Sequence, residues 1–221
     1  LKSLGATAIA VQPTDAALET RVEGLLNGER VAVEIHAHGS STAFADLASG
    51  STEIGMASRR IKAEEVTQLG ATQGDLSSAE GEHIIALDGL AVVVNPGLPV
   101  KELSVDTVAK IFAGEISNWS ALGGPDQAIE LFARDDQSGT WDSFDNMVLK
   151  PQGKTLAATA RRFESSQELS DGVAATPGAI GFIGLPYVRQ AKLVAISGSE
   201  GAVALFPNNF TVSTEDYALA R

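Results

Sequence analysis

Short apolar runs of strand character alternate with helix-like segments along this chain, and this alternation constrains the fold more than any other feature. Residues 179–183 form one such run after the turn at Pro177-Gly178, and residues 104–113 predict a helix with Ser104 as its N-cap. The segments between the strands are long enough for parallel crossover connections. The alternation therefore predicts an α/β fold.

Local signals of the same kind predict the remaining elements. Asn27-Gly28 is a strong two-residue turn signal, which predicts a hairpin over residues 21–38. Ser165 and Glu168 resemble a capping box that opens a helix reaching residue 175. Further strands are predicted at residues 52–57, 83–95, 129–133 and 192–196, and further helices within residues 39–50, 61–69 and 141–148.

The composition argues against several classes of function. The 221 residues carry a formal net charge of −12, which disfavours nucleic acid as a partner because a basic patch supplies most of that affinity. The absence of cysteine excludes disulfides, zinc–thiolate sites and cysteine nucleophiles. No apolar run is long enough to span a membrane. The first residues lack the apolar core of a signal peptide, so we expect a cytosolic chain or one that has lost such a segment.

The segment from Phe132 to Trp141 concentrates the groups that hold an oxyanion. Arg134 offers a planar fork of donors, and two hydroxyls and a glycine follow it at the start of a predicted helix. The neighbouring acids suit a ligand that itself carries a proton. The alternative is a solvated turn in which Ser138 or Thr140 merely caps the helix, since these residue types are enriched at every helix start.

Two other turns at predicted strand ends carry similar groups. Gly39 lets the backbone approach a ligand closely, and Ser40 and Ser41 follow it. The second turn ends with Ser58 and Arg59, a hydroxyl and a cation. Plain capping and a surface arginine pair are the alternative interpretations. Because ligands of α/β folds gather outside the carboxyl ends of strands, several such turns together favour a binding site.

No pattern for a metal, a cofactor or a catalytic nucleophile is found in the sequence. His36 and His38 share one face of a predicted strand, but a metal site needs more ligands and no third lies nearby in the sequence. The nucleophile elbow, the Ser-His-Asp order and the Walker pattern are all missing. We therefore predict a protein that is not an enzyme and uses neither cofactor nor metal.

Six segments in a fixed order carry a resemblance to a known family. They are Gly39-Ser-Ser-Thr-Ala-Phe44, Ile54-Gly-Met-Ala-Ser-Arg59, Leu87-Asp-Gly-Leu-Ala-Val-Val-Val-Asn-Pro96, Val108-Ala-Lys-Ile-Phe-Ala-Gly-Glu-Ile-Ser-Asn-Trp119, Arg134-Asp-Asp-Gln-Ser-Gly-Thr140 and Gly178-Ala-Ile-Gly-Phe182. Each is weak alone, but together they are specific. The chain resembles the solute-binding proteins of ABC phosphate transporters over most of its length.

The resemblance implies a two-lobed periplasmic binding protein type II fold, in which each lobe is a mixed sheet flanked by helices. We expect one lobe to comprise residues 1–88 plus 192–221 and the other residues 89–191. Asp88-Gly89 interrupts a predicted strand and is a candidate hinge crossing. Compared with the family, the sequence lacks elements at both ends, so we expect a core fragment or a protein whose missing pieces lie elsewhere. A site missing one of its loops should bind less tightly.

The resemblance also implies the residues that meet the ligand. Arg134 and Asp136 would contact phosphate, with Asp136 accepting the proton that sulfate lacks near neutral pH. Ser58 stands where better-known members have an aspartate, which leaves the role of the adjacent cation open. The implied set comprises Ser40, Ser41, Ser58, Arg59, Arg134, Asp136, Ser138, Gly139 and Thr140.

The function implied is extracytoplasmic binding of inorganic phosphate by a periplasmic, monomeric protein that delivers it to an ABC permease in the membrane. One alternative is a module for another oxyanion, such as tungstate or sulfate, or for a small carboxylate. Another is an envelope protein that senses phosphate without delivering it. A phosphate-ester hydrolase is a third, but it needs a nucleophile with a base or a metal cluster, and neither is visible.

Overall fold

The computed structural model describes residues 1–14 and 18–221. The chain divides into two compact units, residues 1–38 and residues 39–221, and each is described by itself. The predicted lobes, residues 1–88 plus 192–221 and residues 89–191, divide the chain differently and remain a prediction. Across the described residues, no helix combines the length and apolar character needed to cross a membrane.

The first unit contains an antiparallel three-stranded sheet in the order β1-β2-β3. Its strands are β1 (Thr7–Pro13), β2 (Glu19–Leu26) and β3 (Glu29–His36). Asn27 and Gly28 have φ angles of 55° and 86°, so both occupy the left-handed region that the tightest hairpin turns require. The hairpin predicted from Asn27-Gly28 is confirmed.

The second unit is built around a mixed five-stranded sheet in the order β7-β6-β8-β4-β9. These strands are β4 (Leu90–Val94), β6 (Glu130–Arg134), β7 (Arg161–Phe163), β8 (Ala179–Gly184) and β9 (Lys192–Leu193). Strand β6 runs parallel to both of its neighbours, whereas β4 is antiparallel to both of its own. A separate parallel pair joins β5 (Glu102–Ser104) and β10 (Ala195–Ser197).

Helices of the second unit mostly follow strands as the alternation predicts, although α2 follows α1 with no strand between them. They are α1 (Ser40–Ser49), α2 (Ala63–Gln73), α3 (Val105–Phe112), α4 (Gly139–Phe144), α5 (Ser166–Ala175) and α6 (Asn209–Ser213). Ser104 Oγ accepts from the Thr107 N–H at 3.1 Å and caps α3 as predicted. Ser165 Oγ accepts from the Glu168 N–H at 3.2 Å and caps α5. Helix α4 continues into a π-helical turn over Asp145–Leu149.

Both faces of the five-stranded sheet are buried. Along β4, Val92 and its alternate neighbours face a cluster that contains Phe112 of α3 and Phe144 of α4. Val93 faces the opposite cluster with Leu169 of α5. Burying each such side chain contributes about 1.5–3 kcal/mol, so this sheet is a firm base for the loops at its strand ends.

Three strand predictions in the second unit are wrong in whole or in part. Residues 52–57 and 83–88 form no strand, although their apolar patterns suggested strands. Residues 192–196 form parts of two short strands, β9 and β10, that pair with different partners. Ile54 and Met56 are 79% and 72% exposed. A strand exists only where a neighbouring strand accepts its hydrogen bonds, and a local pattern does not reveal that neighbour.

Candidate functional site

The predicted anion segment contains the end of β6, the loop that follows it and the start of α4. Ser138 Oγ accepts from the backbone N–H groups of Thr140 at 3.2 Å and Trp141 at 3.4 Å. The Ser138 N–H donates to the Asp135 carbonyl at 3.3 Å. Ser138 therefore does cap α4, as the plain alternative proposed. Its oxygen is occupied as an acceptor while its own O–H remains able to donate.

The turn at Gly39 lies directly against this loop. A Cβ atom on Gly39 would lie 2.1 Å from the carbonyl oxygen of Gln137, so only glycine fits there. The Ser41 N–H donates to that same carbonyl at 3.2 Å. Two of the hydroxyl-rich turns predicted from the sequence are therefore in contact, through backbone groups as well as side chains.

Three predicted site residues from three separate segments meet at Gly139. The Ser58 N–H donates to Ser40 Oγ at 3.0 Å, and the two hydroxyl oxygens are 3.3 Å apart. A Cβ atom on Gly139 would lie 2.1 Å from Ser40 Oγ and 2.6 Å from Ser58 Oγ. The absence of a side chain at Gly139 is thus what allows these hydroxyls to approach the loop.

Arg134, at the end of β6, is 9% exposed, and its hydrogen-bond acceptors are neutral. Its Nε donates to the Phe163 carbonyl at 3.2 Å, and its two terminal nitrogens donate to Ser166 Oγ and the Glu164 carbonyl. Burial lowers the pKa of Arg134, and the nearby charge of Arg221 acts in the same direction, whereas the charges of Asp135 and Glu164 oppose them; the net shift is downward. A buried guanidinium whose hydrogen bonds go to neutral oxygens keeps more of its charge to attract an anion than one paired with carboxylates.

Arg59 is also buried, but carboxylates surround it. Its terminal nitrogens donate to the Glu65 carboxylate at 2.7 and 2.8 Å, and its Nε lies 2.6 Å from Asp142 Oδ2. One of those nitrogens also donates to Ser41 Oγ at 3.1 Å. Burial by itself lowers the pKa of Arg59, but these two carboxylates outweigh it and the net shift is upward. Lys62 Nζ adds a further contact to Asp142 at 2.8 Å.

Asp136 lies on the exposed side of the loop, with 82% of its side chain accessible. Its carboxylate pairs with Arg162, and the Arg162 guanidinium carbon lies 4.5 Å from the centre of the Trp141 ring. Among the residues that the structure describes, no hydrogen bond or ion pair of Asp136 reaches another predicted site residue.

Arg221 contacts the loop and was not found from the sequence. Its guanidinium donates to Thr140 Oγ1 at 3.1 Å and to the Gly139 carbonyl at 3.4 Å, and it pairs with Asp88 at 2.8 Å. The 133 positions between Arg221 and Asp88 explain the omission. No local spacing or motif marks a residue that reaches the site through such a distant partner.

Four hydroxyls of this region share one hydrogen-bonding state. Each accepts a hydrogen bond from an N–H group, which can only donate, so its own O–H can donate to another acceptor; for Ser40, the Ser58 hydroxyl is one such acceptor. They are Ser40, Ser41, Ser138 and Thr140. Together they form a donor-rich cluster, and Arg134 stands at the start of the loop that carries Ser138 and Thr140. Such a cluster suits a ligand made of acceptor oxygens. In residues 1–14 and 18–221, no group of three or more His, Asp or Glu side chains could hold a metal ion.

Comparison with known proteins places the chain in a family. A family model described as the PBP superfamily domain matches residues 6–218, nearly the whole chain. The chain belongs to the PBP superfamily. Within this superfamily, it groups with the substrate-binding proteins of phosphate ABC transporters, as the six sequence segments predict.

Individual relatives are similar over most of the chain. The phosphate-binding protein PstS of Bacillus subtilis is 35% identical over 165 residues, which cover 75% of this chain and 51% of that protein. A Clostridium perfringens protein, assigned to the phosphate ABC transporter substrate-binding proteins and solved with bound phosphate, is 32% identical with a TM-score of 0.68. This match covers 83% of this chain and 69% of that one. An ABC-type phosphate transport receptor from Vibrio cholerae is 28% identical with a TM-score of 0.62, over 84% and 70% of the two chains.

These matches also define what the chain covers. It spans between about half and two thirds of the length of the curated relatives given first, those of Bacillus subtilis (51%) and Borreliella burgdorferi (66%). The fold match confirms the predicted α/β binding-protein fold. The five-stranded sheet is mixed as predicted, whereas the three-stranded sheet of the first unit is wholly antiparallel.

Proposed function

We propose that this chain binds inorganic phosphate outside the cytoplasm and serves as the substrate-binding component of an ABC transporter. The observation that carries the proposal is the donor-rich cluster, four hydroxyls able to donate, two of which lie on the loop that begins at the buried Arg134. A phosphate anion presents only acceptor oxygens apart from its proton, so it matches such a cluster. The relatives named for phosphate binding support the same ligand.

Each group in the cluster has a distinct proposed role. Arg134 supplies the charge, and its fork can give two parallel hydrogen bonds to one phosphate. Ser138 and Thr140 donate from the loop, whereas Ser40 donates from the start of α1. Gly139 contributes by occupying little space. Ser41 and Ser58 complete the proposed ligand set, and Arg59 orients Ser41 while its own charge is balanced by carboxylates.

Asp136 is the proposed acceptor for the proton that phosphate carries. Fully deprotonated sulfate would place two negative groups against each other, so the acid disfavours sulfate. Arg162 pairs with Asp136 and, by offsetting its charge, would moderate that discrimination. Replacing Asp136 with Asn should narrow the ratio of phosphate to sulfate affinity, and an unchanged ratio would rule out this role.

The proposed partners are inorganic phosphate and the permease of an ABC transporter in the membrane. We propose that the protein acts as a periplasmic or otherwise extracytoplasmic monomer and does not bind nucleic acid. It binds its ligand and does not change it chemically. Turnover of a chromogenic phosphate ester by the purified protein would contradict this and favour a hydrolase.

Isothermal titration of the purified chain with phosphate tests the proposal. We expect saturable phosphate binding that is weakened by Ser40→Ala, since this variant removes one hydroxyl donor from the cluster. The matched control is Ser120→Ala, because Ser120 donates to Asn118 on the surface, and this change should leave the affinity unaltered. A chain that binds tungstate or sulfate as tightly as phosphate would favour a general oxyanion module, and a chain that binds none of them would refute the assignment.

A further inference from the structure

Arg221 is a buried cation beside the anion cluster. Its side chain is 9% exposed, and its guanidinium divides its hydrogen bonds between Asp88 and the loop residues Gly139 and Thr140. The Nε atom of Arg221 is buried and has no hydrogen-bond partner in the described part of the chain. Of the five N–H donors of the guanidinium, these three hydrogen bonds use three, so the Nε–H and one Nη1–H remain.

The backbone fixes the position of Arg221. The Asp88 N–H donates to the Arg221 carbonyl and the Arg221 N–H donates to the Asp88 carbonyl, both at 2.8 Å. The next pair along extends this ladder, because the Leu90 N–H donates to the Leu219 carbonyl at 2.9 Å. Tyr217, which precedes this stretch, is buried, and its hydroxyl donates to the Leu90 carbonyl at 2.9 Å. Arg221 is therefore held on both its backbone and its side chain.

The contact with Thr140 determines what that hydroxyl can do. A guanidinium can only donate, so Thr140 Oγ1 accepts from Arg221, and the Thr140 O–H is left to donate. The same contact brings a second positive charge to the loop that follows Arg134. Burial is the main cause that lowers the pKa of Arg134, and the charge of Arg221 acts in the same direction.

On the basis of the proposed phosphate function, we propose that Arg221 is a positioning residue of the anion site. It holds the Thr140 hydroxyl as a donor and places a second guanidinium charge behind the loop. The negative charge of Asp88 balances part of this second charge. The site then attracts an anion without carrying two uncompensated buried cations, which would repel each other.

Phosphate titrations on the full chain test this role. Arg221→Met removes both the charge and the fork, and we expect it to weaken phosphate binding about tenfold or more, as for the loss of a hydrogen bond to a charged group. Arg221→Lys keeps the charge but not the fork, so it should recover part of the loss. Lys110→Met is the matched control, because it removes the same charge from an ion pair with Asp106 on α3.

A double-mutant cycle separates positioning from general stability. If Arg221 acts through Thr140, the phosphate affinity of the double variant Thr140→Val/Arg221→Met should equal that of whichever single variant binds phosphate more weakly. Losses that simply multiply would show that the two residues act independently and would overturn the proposal. Thermal unfolding without phosphate shows whether Arg221→Met folds. If it does not fold, the same cycle with Arg221→Lys provides the test.

The outcomes distinguish this inference from the proposed function. A wild-type chain that gives no phosphate binding refutes the function itself. A wild-type chain that binds, together with an Arg221→Met variant that matches Lys110→Met, leaves the function intact and overturns only the role of Arg221.

Discussion

Two buried arginines lie near the start of α4, and their surroundings differ. Arg59 is bound by the carboxylates of Glu65 and Asp142. Arg134 donates to two backbone carbonyls and to the hydroxyl of Ser166. The charge of Arg59 is therefore neutralised by the carboxylates it binds, whereas the hydrogen bonds of Arg134 within the described residues go to neutral oxygens.

The comparison shows how the same residue type takes two roles in one protein. A guanidinium that already holds two carboxylates stabilises the fold and has little attraction left for an outside anion. A guanidinium held by neutral oxygens is kept in place at a cost in stability, because burial disfavours its charge. We expect substitutions of Arg59 to act on stability and substitutions of Arg134 to act on binding.

Replacing Arg59 gives the largest expected effect. Arg59→Met leaves two buried carboxylates short of a partner, and we expect the free energy of unfolding to fall by about 3 kcal/mol, the lower end for breaking a buried ion pair. Lys62 limits the loss because it still contacts Asp142. Urea unfolding measures this, with Arg60→Met as the control, since the Arg60 side chain is 80% exposed. An equal fall in the free energy of unfolding in both variants would show that Arg59 has no special structural role.

Replacing Arg134 should weaken phosphate binding more than it lowers stability, the opposite of what is expected for Arg59. Arg134→Met should weaken phosphate binding by about 1.5–3 kcal/mol, roughly ten- to a hundredfold, because a charge-assisted hydrogen bond is lost. The free energy of unfolding without phosphate should fall less than in Arg59→Met, because no carboxylate hydrogen-bonded to Arg134 loses a partner. Titration and urea unfolding of the same samples give both quantities. A variant that loses stability but still binds phosphate would mean that the two arginines do not differ as described.

A smaller effect is expected at the point where the hydroxyls meet the loop. Gly139→Ala would force its Cβ atom against Ser40 Oγ and Ser58 Oγ, and such overpacking costs about 1–3 kcal/mol. We expect lower stability together with weaker phosphate binding. Gly70→Ala in α2 is the control, because nothing lies within 4 Å of its added Cβ and alanine favours a helix. If both variants unfold at the same temperature, the close approach at Gly139 does not contribute to stability.

The pH dependence of stability should show the smallest effect. Burial raises the pKa of Glu65, but its hydrogen bonds to Arg59 and the Lys62 N–H outweigh burial, and the net shift is downward. A lowered folded-state pKa gives stability that is present above the ordinary glutamate pKa and is lost as the pH falls through the folded value. We expect Glu65→Gln to flatten the decline of the unfolding free energy below about pH 4.5. A decline as steep as in the wild type would assign the acid sensitivity to other carboxylates.

The sequence predicts elements well where the signal and its physical cause are both local. The Asn27-Gly28 hairpin and the helices capped by Ser104 and Ser165 depend on residues within a few positions of each other. The strand predicted at residues 52–57 is absent, and so is the first part, residues 83–88, of the strand predicted at 83–95, because an apolar pattern describes one strand and not the partner it needs.

The candidate site follows the same division. Ser40, Ser58 and Gly139 were named from their turns, and the structure brings them within contact of one another. The balance of charge around Arg59 could not be foreseen, because Asp142 is far from it in sequence. Arg221 could not be foreseen for the same reason. Sequence patterns indicate which groups a turn carries, whereas neutralisation and orientation depend on distant partners.

The backbone pairing of Asp88 with Arg221 also affects when the site exists during folding. Closing a loop of 133 positions costs chain entropy that local structure cannot repay, so this pairing forms only together with long-range contacts. A partly folded chain with α4 and its loop in place would still lack the second guanidinium. Phosphate binding would then stabilise the completed fold over such intermediates, and the ligand would report on the last contacts to form.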